Sequence, residues 1–527
     1  MPKVLLINPS YKANYGACKA SLINPIYPTL GLASLAGAVR KQGHRVEILD
    51  LSYREYDPAI VSDRIKRVAP DIVGMTAATP LFNQVRDLSL LIKDIAPGAA
   101  VIGGGPHVSA LAQRSLEESA LDAVCIGESE ESFADICNGR PLKEIPGICF
   151  RSPKGPQKTS PRAPAADLDS LPFPAWDLYD CAVYKRHVSR LFVKHPPAVK
   201  AEFSRGCVYD CEFCASKTTV GFGYRKKSPE RCVEEVRRLT SLGYKEFLLA
   251  DDIFTTDANW AASVCEALIR ADLGAVWSCS NGIRVESADA ELFALMRRAG
   301  CYRVFYGLET GDDPALLQTG KGGKATIEAG RRAVRLAREA GMDVGGYFLM
   351  GLSADTPDSM LKTAEYARSL PLDLLKFGMT IPFPGTRLYD RYRRLGLLAD
   401  ADWDGFHIYS EGGGAFVHDT LSAETVAEYV ELGYRRAINR NPAFLIRRVL
   451  RGLRTGDILN DALCFLRYLK SPATHRGGAV RYYARERWPK AFEPLISARE
   501  THAAPAKRRD RSSFDRTAIP PRSSRPA

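Results

Sequence analysis

Val199-Lys-Ala-Glu-Phe203 runs directly into Ser204-Arg-Gly-Cys207-Val-Tyr-Asp-Cys211-Glu-Phe-Cys214-Ala-Ser-Lys217. The first five residues read as a strand, and the loop behind them crowds three cysteines into eight residues as C-x3-C-x2-C. No fourth cysteine follows at a matching interval. A closed structural zinc site takes four ligands, and an ordinary cubane iron–sulfur cluster takes four cysteines. Three thiolates on one tight loop leave one iron with an open position, which is useful only if something exchangeable binds there. The alternative is a zinc site completed by a distant His or Cys. Gly206 lets the chain turn sharply beside the metal, and Arg205 and Lys217 supply positive charge near an anionic centre. The other ten of the thirteen cysteines are scattered without metal-like spacing and read as small buried hydrophobes.

Downstream of this loop the chain alternates strand and helix to about residue 385. Six strands are expected, at Val199–Phe203, Phe247–Ala250, Val276–Ser280, Tyr302–Leu308, Val344–Met350 and Leu374–Ile381. The helices between them are signalled by Ser228-Pro229 and Thr356-Pro357, each an N-cap followed by Pro at the first helical position. Two more are expected from Ser287 to Gly300 and from Thr326 to Gly341. Six βα units in sequence predict a parallel barrel or a partial (β/α)6 barrel, with its chemistry on the loops after the strands.

Upstream, residues 1–150 alternate in the same way. Apolar runs at Val4–Ile7, Val46–Leu49, Ile72–Met75, Ala100–Ile102 and Ala123–Ile126 are separated by helical stretches at Leu30–Arg40 and near 59–68, 82–95 and 109–119. This predicts a doubly wound parallel sheet covered on both faces, with ligands at the carboxyl ends of its strands. Residues 151–198 are a Pro-, Lys- and Ser-rich linker with little regular structure, in which Leu171-Pro-Phe-Pro-Ala-Trp176 has the character of a segment packed on one domain. The barrel is expected over 199–390 and a helical C-terminal region over 391–500. There Phe444–Arg454 mixes apolar and Arg positions at helical spacing. It reads as an amphipathic helix packed on the body, with a membrane-surface helix as the other reading.

With 527 residues, 45% hydrophobic and 25% charged, the chain has the balance of a globular protein of about three domains. No apolar run approaches the ~18 residues that span a bilayer, and the start lacks signal-peptide features, so a cytoplasmic location is expected. The net charge of +12 invites a nucleic-acid reading, but residues 501–527 alone hold seven Lys and Arg against two Asp. That Pro/Ser/Arg-rich stretch reads as a disordered basic tail, and no aromatic-basic platform stands out. No nucleic-acid partner is expected.

The cysteine spacing, placed after the first strand of a six-unit barrel, resembles the radical S-adenosylmethionine (SAM) superfamily. Phe213 is the aromatic usual in that loop, and Arg225–Glu230, Phe247–Thr255, Gly307–Gly311, Gly345–Gly351 and Pro382–Thr386 resemble the family's later motifs. The likeness covers about 199–390. It implies that Cys207, Cys211 and Cys214 hold a [4Fe–4S] cluster, and that Asp251, Asp252, Ser280, Arg284 and Glu309 are candidates for the SAM shell. The preceding sheet resembles the superfamily's cobalamin-binding subclass. Thr76, Gly104, Gly105, Gly127 and Glu128 sit in its cofactor-facing loops. There is one departure: the loop Asn8–Gly16 has no D-x-H-x-x-G. Of the domain's two histidines, His44 is poorly placed for cobalt and His107 only slightly better.

The resemblance implies a cobalamin-dependent radical SAM methyltransferase acting on an unactivated carbon, or phosphinate phosphorus, of a small biosynthetic molecule. Methylcobalamin and a 5′-deoxyadenosyl radical would carry the reaction, with electrons from a donor such as flavodoxin or ferredoxin. The other implied reading is a cobalamin-binding cyclase or rearrangement enzyme, like the anaerobic porphyrin-ring cyclase.

Overall fold

The computed structural model describes residues 1–12, 19, 26–187, 191–321, 323–399, 403–407 and 415–472. The expected tail at 501–527, the stretch 473–500 and the second half of the Asn8–Gly16 loop lie outside the described residues.

The first sheet contains β1 (Lys3–Asn8), β2 (Arg45–Asp50), β3 (Ile72–Thr76), β4 (Ala100–Gly104), β5 (Ala123–Cys125), β6 (Ile148–Ser152) and β7 (Gly155–Lys158). Their order is β2-β1-β3-β4-β5-β6-β7. The first five pair in parallel, and β6 and β7 join antiparallel. Helices Leu30–Lys41, Pro58–Val68, Phe82–Ile95 and Glu130–Cys137 make the crossovers, with two short helices at Pro106–Ala110 and Ala112–Glu117. Strand order reverses between β1 and β3, which in open α/β sheets is where ligands bind.

The hairpin β6–β7 carries this sheet to Lys158. Its second strand, Gly-Pro-Gln-Lys, has no apolar alternation to announce it, because an edge strand need not bury either face. The linker is also more ordered than its composition implies, with a helix at Cys181–His187. Its Leu171–Trp176 stretch packs on both domains: Ala175 N donates to Ala33 O at 2.9 Å, while the Arg231 and Arg238 guanidinium groups lie 3.4 and 3.6 Å from the Phe173 ring centre.

The second sheet is β8 (Ala198–Ala201), β11 (Glu246–Leu249), β12 (Val276–Ile283), β13 (Cys301–Glu309), β14 (Asp343–Met350) and β15 (Leu374–Met379). The six pair in parallel in chain order and the outer two do not meet, so the barrel is open. Ser228 caps its helix by accepting from Arg231 N, and Thr356 forms a reciprocal capping box with Ser359. The helix expected from Ser287 starts later: Asp289 accepts from Leu292 N and caps Ala290–Arg298, and Val285–Ser287 is a 3-10 turn. Beyond the barrel come helices Arg387–Arg394, Ala423–Tyr434, Pro442–Thr455 and Ile458–Lys470. The core is continuous across the two main domains and this helical region.

Candidate cofactor-binding site

The cysteine loop is pinned at both ends. Two short strands, β9 (Ser204–Arg205) and β10 (Arg225–Lys226), pair antiparallel across its neck. Gly206 turns at φ +91°, and a Cβ there would stand 2.7 Å from Gly223 O. Both the left-handed backbone and the close approach therefore require glycine. Cys207, Cys211 and Cys214 are free and half-buried. Burial pushes the Cys207 thiol up to about 11 and also raises Cys211, whose nearest opposing influence is Lys321. Metal binding at such a site therefore releases protons. Among the described residues, no three His, Cys, Asp or Glu side chains close on a point the size of a single metal ion. Cysteines that share a cubane each bind a different iron, so they need not converge in that way. Phe213 packs partly buried against the core behind the loop.

The candidates near the strand ends fall into two groups. Asp251 and Arg284 hold the loop's surroundings. Asp251 accepts from Phe203 N at 2.8 Å and from Ser204 Oγ at 2.5 Å, tying β11 to the entry of the loop, and burial raises its carboxyl to about 7. Arg284 pairs with Glu286, donates to Lys321 O at 2.9 Å, and lies 3.6 Å from the ring centre of Tyr209 within the loop. Ser280 is buried and engaged on both sides, with its hydroxyl on Leu249 O at 3.4 Å and its carbonyl receiving Tyr347 OH at 2.6 Å. Glu309 takes φ +57°, an uncommon conformation for a side-chain-bearing residue, and is paired with Lys321 Nζ at 2.6 Å. Such outliers concentrate at functional sites. Asp252 differs from all of these because it lines a cavity, where burial, then Glu202, raises its carboxyl to about 6.

That cavity, about 930 Å³, lies between the two domains. Its walls include Tyr11 and Lys12 after β1 and Thr79 and Pro80 after β3, so it occupies the switch point of the first sheet. From the barrel side it is lined by Lys200, Glu202, Asp252 and Asn281, and by Ser216 and Thr219 of the cysteine loop. Lys200 and Glu202 were not anticipated. Their signal was the period-two alternation with buried Val199, Ala201 and Phe203. Lys321 was missed as well, and no local pattern marks it.

The loops of the first domain serve the seam. Glu128 forms ion pairs with Arg205 Nη1 at 3.3 Å and with Arg225, and Glu130 meets Arg205 Nη2 at 2.7 Å. Glu202 adds a third carboxylate to Arg205 at 2.6 Å. Arg205 is thus neutralised in the interdomain network, and Lys217 is paired with Asp210. Gly127, at φ +75°, brings its Cβ position within 3.5 Å of Thr219 O. Gly105 turns at φ +95°, where a Cβ would sit 3.0 Å from Thr76 Oγ1, so these two pack on each other. Gly104 is open, with nothing nearer than Met75 O at 4.0 Å.

Neither histidine of the first domain reaches the cavity. His44 shares a hydrogen bond with Asn138 at 2.8 Å on the surface. His107 is buried, stacked on Phe82 and edge-on to Trp403, and desolvation, helped by Arg114, pushes its imidazole down to about 3. The one histidine lining the cavity among the described residues is His407, from beyond the barrel.

These residues fit the groups that the resemblance implies. Three free thiols share a glycine-hinged loop, and the cavity beside them is at the upper end of the ~300–1,000 Å³ typical of organic ligands. Gly31, on its wall, has nothing within 4 Å of a Cβ position, leaving the backbone open to a flat ligand.

A B12 binding domain model matches residues 21–137, and a Radical SAM superfamily model matches 201–367. An uncharacterized methyltransferase of Pyrococcus horikoshii is 29% identical over 464 residues, covering 86% of this chain and 98% of that protein. An anaerobic magnesium-protoporphyrin IX monomethyl ester cyclase of Rubrivivax gelatinosus is 28% identical over 400 residues, covering 73% and 69%. Among solved structures, the radical S-adenosylmethionine methyltransferase TsrM of Kitasatospora setae, with cobalamin and a [4Fe-4S] cluster bound, superposes with a TM-score of 0.62 at 20% identity. The match covers 76% of this chain and 79% of that one. The chain carries a B12-binding domain followed by a domain of the radical SAM superfamily.

Proposed function

We propose that the chain is a cobalamin-dependent radical SAM methyltransferase that methylates an unactivated carbon, or phosphinate phosphorus, of a small biosynthetic molecule. The observation that carries this reading is the cavity of about 930 Å³ shared by the switch point of the first sheet and the cysteine-loop side of the barrel. When bound, a [4Fe–4S] cluster with SAM supplies one-electron cleavage of the sulfonium, and cobalamin supplies a methyl carrier.

The chain's own residues then have separable tasks. Cys207, Cys211 and Cys214 hold the cluster. Asp251 and Arg284 position the loop through Ser204 and Tyr209. Asp252, Ser280 and Glu309, with Lys321, shape the strand-end surface that receives SAM. Thr76, Gly104, Gly105 and Gly127 shape the cobalamin side, and Glu128 locks it to the barrel. This division rests on a cobalamin domain over 1–150, extended by the hairpin to Lys158, a linker to 198, a barrel over 199–390 and a helical region beyond. No histidine of the first domain is offered to the cobalt. An external donor of the flavodoxin or ferredoxin kind, and a cytoplasmic location, belong to the same proposal.

The likeness to the cyclase favours a second reading, ring closure or rearrangement without methyl transfer. Anaerobic reconstitution with iron, sulfide and hydroxocobalamin, followed by turnover with SAM and a substrate panel, separates the two. Methylated product with both S-adenosylhomocysteine and 5′-deoxyadenosine supports methyl transfer, and 5′-deoxyadenosine alone supports the cyclase reading. A chain that retains no cobalamin overturns both.

A further inference from the structure

The hairpin made by Pro442–Thr455 and Ile458–Lys470 has two apolar faces: Phe444, Leu445, Phe465 and Tyr468 pack against the core, and a second set of large apolar side chains is exposed. Arg447, Arg448 and Arg451 point inward. Arg448 Nη2 meets Asp461 Oδ1 at 2.5 Å, and Arg451 Nε meets Asp343 Oδ2 at 3.0 Å. Arg447 Nη2 reaches the carbonyls of Leu370 and Leu372 at 3.5 Å.

Eight of its large apolar residues point outward. Ile446, Val449, Leu450 and Leu453 form one stripe at i, i+3, i+4 and i+7, and Leu459, Leu463, Leu466 and Leu469 form another. They are 49–78% exposed, and they make up eight of the fifteen exposed large apolar residues among the described ones. A helix normally turns its apolar stripe to the core. A contiguous outward one marks an interaction surface.

The charge distribution indicates which kind of surface this one meets. Residues 442–527 carry 19 Lys and Arg against 7 Asp and Glu, which is the whole of the chain's net +12. Residues 1–441 carry 54 of each sign. On the hairpin itself Arg454, Arg467 and Lys470 are exposed beside the leucines. A second copy of the chain would bring the same basic excess against itself, and nucleic acid has no use for an outward leucine face. Apolar stripes flanked by basic residues suit the headgroup–acyl boundary of an anionic bilayer. No helix among the described residues is long and apolar enough to cross a membrane, so the contact is with a surface. The arginine anchors sit at the starts of the barrel strands, on Asp343 of β14, and the cavity lies at the strand ends. Docking therefore leaves the cavity uncovered.

We propose that the hairpin 442–470 is a docking surface for an anionic lipid bilayer, with the outward leucines seated at the acyl boundary and the basic residues among the headgroups. This stands independently of the reaction catalysed.

The test is flotation of the full-length protein with vesicles of phosphatidylcholine alone or mixed with phosphatidylglycerol, at low and high salt. The wild type should float with the mixed vesicles, and less with neutral vesicles or at high salt. A Leu450→Glu/Leu453→Glu/Leu463→Glu variant should bind about tenfold less or weaker, while Leu317→Glu, at an exposed leucine on the barrel, should bind as the wild type does. An Arg454→Glu/Lys470→Glu variant should lose the preference for phosphatidylglycerol, which keeps the idea testable should the triple variant fail to fold. Three results overturn it: a wild type that stays at the bottom of the gradient with both vesicles, a well-folded triple variant that floats like the wild type, or a double variant with undiminished lipid preference. A wild-type dimer that becomes monomeric in the triple variant, without vesicle binding by either, would assign the face to a second copy instead.

Discussion

The two ends of the barrel sheet are docked by the same chemistry and serve different purposes. At the strand ends, Arg205 and Arg225 reach from either side of the cysteine loop to Glu128 and Glu130 of the first domain. At the strand starts, Arg451 reaches from the hairpin to Asp343, which Arg303 joins at 3.4 Å, while Arg448, paired with Asp461 inside the hairpin, donates to Asp373 O at 3.4 Å. Burial works to raise Glu130 and Asp343, and in each the arginines win and hold the carboxyl below its ordinary value. Buried pairs of this kind are better at specifying a geometry than at adding stability, because desolvation offsets most of their attraction. The upper seam uses that specificity to hold two sheets apart around a cavity. The lower one uses it to face a helix pair outward.

The largest effect should come from the loop itself. Cys207→Ala should leave the protein folded but without an intact cluster, read as lost iron and lost absorption after anaerobic reconstitution; 5′-deoxyadenosine formation should vanish with it. Next is the upper seam. Arg205→Met strands Glu130 and Glu202, while Glu128 keeps Arg225, and should cost about 3–5 kcal/mol, seen as a lower melting temperature and weaker cobalamin retention. A variant that melts with the wild type would show that the seam is dispensable.

Gly206→Ala, with φ +91° and a carbonyl 2.7 Å from the added carbon, should cost about 1–3 kcal/mol and lower the iron bound per chain. At the other end, Arg451→Met should cost less than Arg205→Met, about 1–3 kcal/mol, because Asp343 keeps Arg303 and Asp461 keeps Arg448. Equal losses at the two ends would erase the distinction drawn between them.

The mildest prediction concerns pH. Burial raises Asp251 from 3.8 to about 7 in the fold, so the unfolded chain gives up this proton first as pH rises. The stability it contributes is full below about pH 4, declines between about 4 and 7, and is gone above that range. Asp251→Asn should flatten that part of the stability–pH curve in denaturant titrations.

Much of this could be read from the chain before any fold was known. Six barrel strands and five strands of the first sheet fall where apolar runs stand, and Ser228 and Thr356 cap the helices they announce. Those signals are local, carried by neighbours within a turn or a strand. The hairpin ending at Lys158 escaped because an edge strand such as Gly155–Lys158 needs no apolar face. The helix expected from Ser287 starts after Asp289 instead, because Val285–Ser287 closes a 3-10 turn and the Asp289 carboxylate accepts from Leu292 N. Among the site candidates, Asp251 and Asp252 are adjacent in sequence and look alike. One braces Ser204 while the other faces the cavity, since successive side chains at a strand end point opposite ways.

The amino-acid sequence by itself determined the order of strands and helices and the crowding of three cysteines behind one strand, because periodicity, capping and spacing act over short stretches of chain. Only the tertiary structure decided that Glu128 meets Arg205 and Arg225, 77 and 97 residues away, that a cavity opens between the two sheets, and that the hairpin turns Arg448 and Arg451 in and a row of leucines out. Those outcomes depend on which distant groups become neighbours. In a desolvated setting an arginine must find a carboxylate wherever the fold offers one, and no local pattern records where that will be.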